Sequence, residues 1–114
     1  MLKYALLVFF VGALGGLFMA TFVLRGKLAP WVVSLLHALL GASGLILLFL
    51  AVLNAEGGML AMVALGVLVV TALFGFYLAT MHLHQRVALK KVVLTHAGFA
   101  VTGVTTLIIA ILMS

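Results

Sequence analysis

Four apolar stretches, about Tyr4–Leu24, Pro30–Leu53, Met59–Met81 and Ala88–Met113, account for nearly the whole chain. Each has about 20 or more residues, the length at which an α-helix crosses a hydrocarbon core roughly 30 Å thick. Strands of a small membrane barrel would alternate and repeat at about ten residues, a pattern absent here. Of the 114 residues, 68% are hydrophobic and only 6% charged, too few polar side chains to clothe a water-soluble domain of this size. The chain is therefore read as an all-α membrane protein: four transmembrane helices in an up-down bundle, facing the lipid bilayer. It forms a single transmembrane domain over 1–114.

The chain also repeats itself. A shift of 59 residues lays 1–55 on 60–114 without a gap, and 19 of the 55 aligned pairs are identical. Roughly six would be expected from so Leu-, Ala- and Val-rich a composition. The pairs include Gly16 with Gly75, Thr21 with Thr80, His37 with His96 and Gly44 with Gly103. The domain is thus read as two tandem helical hairpins, repeat 1 over 1–55 and repeat 2 over 60–114, related by an axis along the membrane normal. The repeat equates the first helix with the third, so Lys3 and the run after it are expected to be a helix of the mature protein and not a cleaved signal.

The formal net charge of +5 would point to nucleic acid in a soluble chain; here its distribution matters more. Arg25 and Lys27 lie between helices one and two, and Arg86, Lys90 and Lys91 between three and four. The middle loop, Asn54–Gly58, carries the only acid, Glu56, and no base. The positive-inside bias then puts both basic loops in the cytoplasm and both termini outside, as in a multi-pass protein of a bacterial-type inner membrane; Lys3 alone opposes it. No nucleic-acid partner is expected. With no cysteine, disulfides and iron–sulfur clusters are excluded.

His37 and His96 each fall roughly 8–10 Å below the cytoplasmic interface, too deep for an imidazole to snorkel, so each needs a partner inside the bundle. Helices two and four lie on opposite sides of the pseudo-two-fold axis. Two inward imidazoles at one depth are the geometry of bis-histidine axial ligation of a heme iron. Gly41 and Gly44 follow His37 at i+4 and i+7, and Ala100 and Gly103 follow His96 at the same offsets. Each imidazole is thereby expected to have beside it a strip without bulk, against which a flat macrocycle can lie. Ser43 and Thr102 can hydrogen-bond the local backbone or a ligand. Arg25, Lys27, Arg86, Lys90 and Lys91 stand where heme propionates would point.

On these residues the chain resembles the small four-helix membrane b-type cytochromes, broadly the cytochrome b561-like and bacterial di-heme group. The resemblance implies a heme b electron carrier working with a quinone or a partner redox protein, as a homo-oligomer or a subunit of a larger complex. Members of that group commonly hold two hemes, one near each face. This chain has no histidine in its outer half, so one heme b is expected, and electron transfer right across the membrane by this chain alone is not. His82 and His84, in MHLHQR, have no counterparts in the first repeat. They are read as interfacial histidines of a basic loop, with a ligand to a second heme, a propionate contact or a proton donor near a quinone as the alternatives. A proton-coupled drug exporter of this size would need an intramembrane carboxylate, and there is none. The competing reading is a cofactor-free accessory or assembly subunit, whose histidine pair ties helices two and four together.

Overall fold

The helices end where backbone turns can satisfy their last carbonyls, and these turns set the hairpins. A computed structural model describes all residues, Met1–Ser114, as α1 (Leu2–Val23), α2 (Trp31–Leu53), α3 (Gly58–Leu83) and α4 (Lys90–Leu112), with no strand. After α1, Gly26 N–H donates to Val23 O and Lys27 N–H to Phe22 O; after α3, Gln85 N–H donates to His82 O and Arg86 N–H to Met81 O. Both are Schellman closures, which need a left-handed residue, here Gly26 at φ +77° and Gln85 at φ +55°. α2 closes in the same way through Ala55 at φ +58°. The closure at Gln85 explains why α3 runs two residues past Met81, and α4 starts at Lys90 instead of Ala88.

The four helices have 22, 23, 26 and 23 residues and are each long and apolar enough to cross a membrane. They run up and down in a body 42 Å long, with α1 against α2 and α3 against α4 as two intimate hairpins. The hairpins meet along narrower seams, α2 with α3 and α1 with α4, so α2 and α4 face each other diagonally without packing. In lipid there is little hydrophobic gain from helix association, and close backbone approach has to supply the attraction. Small residues do so here. A Cβ at Gly44 would lie 2.6 Å from the Phe9 ring, and one at Gly103 would lie 2.6 Å from Leu68. Each glycine is the seat for a large side chain from its own hairpin.

The core is confined to one end. Leu2, Ala5, Phe9, Leu48, Ala51, Ala61, Ala64, Leu68, Leu107 and Ala110 form a single buried cluster next to the Glu56 loop. Several members fall 59 apart: Ala5 and Ala64, Phe9 and Leu68, Leu48 and Leu107, Ala51 and Ala110. That end is also tied by polar contacts, since Glu56 Oε2 accepts from the Met1 amino group at 3.1 Å and from Leu2 N–H at 3.4 Å. Gly57 sits at φ +75° with no room for a Cβ, which would fall 2.7 Å from that of Ala61. At the basic end only Ala29 is buried. One half of the bundle is packed shut and the other is loose.

Candidate functional site: a histidine pair on the bundle axis

His37 and His96 stand at the boundary between the packed half and the loose one. Each is the seventh residue of its helix, about 9 Å along from Trp31 in α2 and from Lys90 in α4. Their helices are diagonal, yet the rings reach across the axis to a centroid separation of 6.1 Å, with their planes at 73°. Both side chains are half-buried.

Each imidazole is held by a backbone carbonyl of its own hairpin partner. His37 Nδ1 bonds Gly12 O at 2.7 Å, and His96 Nδ1 bonds Thr71 O at 2.9 Å. Gly12 and Thr71 are themselves 59 apart. A carbonyl oxygen only accepts, so Nδ1 carries the proton in both rings, and in the neutral imidazole Nε2 is left as a bare lone pair. A helical side chain covers the turn N-terminal to its own Cα, so the residue at i+4 shields the carbonyl at i. At i+4 from Gly12 and Thr71 stand Gly16 and Gly75. A Cβ there would lie 3.0 Å from His37 Cε1 and 3.2 Å from His96 Cε1. The two glycines are the gaps that let an imidazole reach a main-chain oxygen already used within the helix.

Neither Nε2 has a hydrogen-bond partner in the chain. No enclosed side-chain nitrogen or oxygen lacks a partner either, so neither Nε2 is sealed inside the protein. This is the donor arrangement of metal-bound histidine, in which one ring nitrogen ligates while the other is anchored to a carbonyl. No cluster of three or more His, Cys, Asp or Glu exists that could hold a bare metal ion. A porphyrin iron already has four nitrogens and takes two more, one on each face. Two imidazoles bound on opposite faces of one metal ion at about 2 Å have centroids about 6 Å apart. The spacing, the free lone pairs and the loose basic half all suit a heme.

The bulk-free strip beside each imidazole is not open along its length. Gly41 has nothing within 4 Å of a would-be Cβ and Ala100 is half-buried, but Gly44 and Gly103 are filled by Phe9 and Leu68. Hairpin packing claims those two positions, because they fall in the closed half. Ser43 and Thr102 are exposed and donate to Leu39 O and Gly98 O of their own helices, both at 2.8 Å, so they satisfy the local backbone and do not reach the pair. Arg25, Lys27 and Arg86 are exposed beyond the helix ends, and Lys90 and Lys91 are exposed in the first turn of α4. His84 is the exposed cap residue of α3. His82 stacks on Trp31 with centroids 3.9 Å apart and planes at 13°, joining the two hairpins at the basic end. That contact, and the carbonyl anchors, depend on cross-helix register that spacing along the chain does not reveal; the paired Gly16 and Gly75 were the one trace of the anchors. No protein-family model, curated protein or solved structure matches the chain.

Proposed function

We propose that this chain is a membrane-embedded b-type cytochrome in which His37 and His96 hold one heme b between α2 and α4. The observation that carries the reading is the pair of anchored imidazoles, with Nδ1 on a carbonyl, Nε2 free and centroids 6.1 Å apart across the axis. A heme bound there supplies a reversible one-electron iron couple. The chain's own residues do the positioning. Gly12 and Thr71 carbonyls fix the tautomer and aim of each ring, which also raises the donor strength of Nε2. Gly16 and Gly75 admit the rings to those carbonyls. The packed apolar half keeps the other side of the site dry, and a low dielectric around the metal is one of the levers on its potential. Residues 1–114 are four helices joined by short loops, and electrons come and go through a membrane quinone or a partner redox subunit in this proposal. The basic loops face the cytoplasm of a bacterial-type inner membrane.

The cofactor-free reading, with the histidines tying α2 to α4, has less support. Each imidazole is hydrogen-bonded within its own hairpin and neither is bonded to the other. The deciding experiment is an absorption spectrum of the full chain, expressed with a heme supply and purified in mild detergent. A Soret band with sharp α and β bands on reduction, one heme per chain, and loss of the low-spin spectrum in His37→Ala and His96→Ala are expected. A colourless wild-type preparation would refute the proposal.

A further inference from the structure

We propose that Arg86, Lys90 and Lys91, where α3 turns into α4, form a headgroup site for anionic phospholipid of the surrounding bilayer. The inference does not depend on the heme. The only acid, Glu56, lies at the opposite end of the bundle and is engaged there by the Met1 amino group, so the basic end has no carboxylate at all. Arg25 is partly satisfied, because its Nε donates to Thr21 O and its guanidinium lies 5.6 Å from the Phe22 ring centroid. Arg86, Lys90 and Lys91 are exposed, and none of their side chains hydrogen-bonds any group of the protein.

Their placement favours an anion. Lys90 and Lys91 are the first two residues of α4, where the helix dipole is already positive, and Leu89 at the cap offers the free N–H groups no side-chain acceptor. An anion from outside the chain can pair with the cations and with the free N–H groups alike. The residues around the cations indicate its source. Val87, Leu89 and Leu94 are 36%, 61% and 60% exposed, so the charges border an apolar surface that faces acyl chains. Cations at that boundary lie at the level of lipid phosphates, and each is worth about fivefold in attraction to an anionic leaflet. A free phosphate would meet the charges but not the apolar border. Lys27 matches Arg86 in the first hairpin, but the lysine pair belongs to the second hairpin alone, since Trp31 and Val32 stand in α2 where α4 has Lys90 and Lys91.

The test uses the full chain in neutral detergent, with native mass spectrometry to count retained lipid after exposure to phosphatidylglycerol, to phosphatidylcholine, or to inorganic phosphate at matched ionic strength. Wild type is expected to retain phosphatidylglycerol over phosphatidylcholine by at least tenfold, and inorganic phosphate to compete weakly. Arg86→Gln/Lys90→Gln/Lys91→Gln should abolish that preference, Lys3→Gln should leave it unchanged, and Lys90→Arg/Lys91→Arg should keep it. If the triple variant does not fold, Lys91→Gln alone should weaken the preference about fivefold. An undiminished preference in the glutamine variants would overturn the site, and equal competition by inorganic phosphate would overturn its assignment to lipid.

Discussion

Replacing Gly16 by alanine separates a glycine kept for packing from one kept to admit an imidazole. In a helix interior, glycine to alanine on its own stabilises by about 0.8–1 kcal/mol. Gly41 provides that background, because nothing lies within 4 Å of a Cβ there. At Gly16 the new methyl would sit 3.0 Å from His37 Cε1 and 3.4 Å from Nδ1, so the ring has to retreat by a few tenths of an ångström. The Nδ1 to Gly12 O bond, now 2.7 Å, is then pushed toward the roughly 3.2 Å limit for a good N–H···O contact. Crowding the half-buried ring and weakening this bond costs up to the roughly 1–3 kcal/mol of a donor left unpaired, which cancels or outweighs the helix gain. Gly16→Ala should therefore be less stable than Gly41→Ala by about 1–3 kcal/mol. Unfolding in mixed micelles of mild detergent and dodecyl sulfate, followed by Trp31 fluorescence, measures the difference. Proton NMR should show the hydrogen-bonded His37 Nδ1–H resonance weakened and that of His96 unchanged. Equal stability of the two variants, with both ring protons intact, would refute this role for Gly16.

Gly75→Ala should act in the same sense but more weakly, since its Cβ would be 3.2 Å from His96 Cε1; heme occupancy measured by absorbance should fall in the order wild type, Gly75→Ala, Gly16→Ala. Gly44→Ala should cost about 1–3 kcal/mol by overpacking against Phe9, while leaving any remaining heme spectrum bis-histidine. Combined with Phe9→Ala it should lose less than the sum of the two single losses, as a double-mutant cycle in the same micelles would show. Gln85→Gly should stabilise by about 0.5–1 kcal/mol by relieving a left-handed residue at the α3 closure, read as a higher Tm.

The helices were legible because lipid leaves the chain little choice: four long apolar runs separated by short polar loops mark the spans to within a few residues. The meeting of His37 and His96 was legible too, since equal depth and a common offset of 59 put them on opposite sides of one axis. The use of the small residues was not. Gly44 and Gly103, at i+7 from each histidine, are seats for Phe9 and Leu68. Gly16 and Gly75, which the repeat pairs without giving them a role, are the residues that face the imidazoles. Spacing along one helix shows which residues share a face. It does not show which neighbour that face meets, and this depends on the register between helices. The stack of His82 on Trp31 was hidden for the same reason, because the two residues lie in different hairpins.

The confinement of the core to one end makes the bundle a lever. The tight cluster beside Glu56 is the fulcrum, and His37 lies 16 residues from Leu53, or about 24 Å up the arm. A change of roughly 2–3° in the angle between the hairpins moves the imidazoles by about 1 Å relative to each other, a displacement comparable to half a metal–nitrogen bond. Leu48 and Leu107, fully buried near the fulcrum, thus tune the spacing of groups they never touch. The Trp31–His82 stack, near the free end of the arm, resists the same opening with the greatest mechanical advantage.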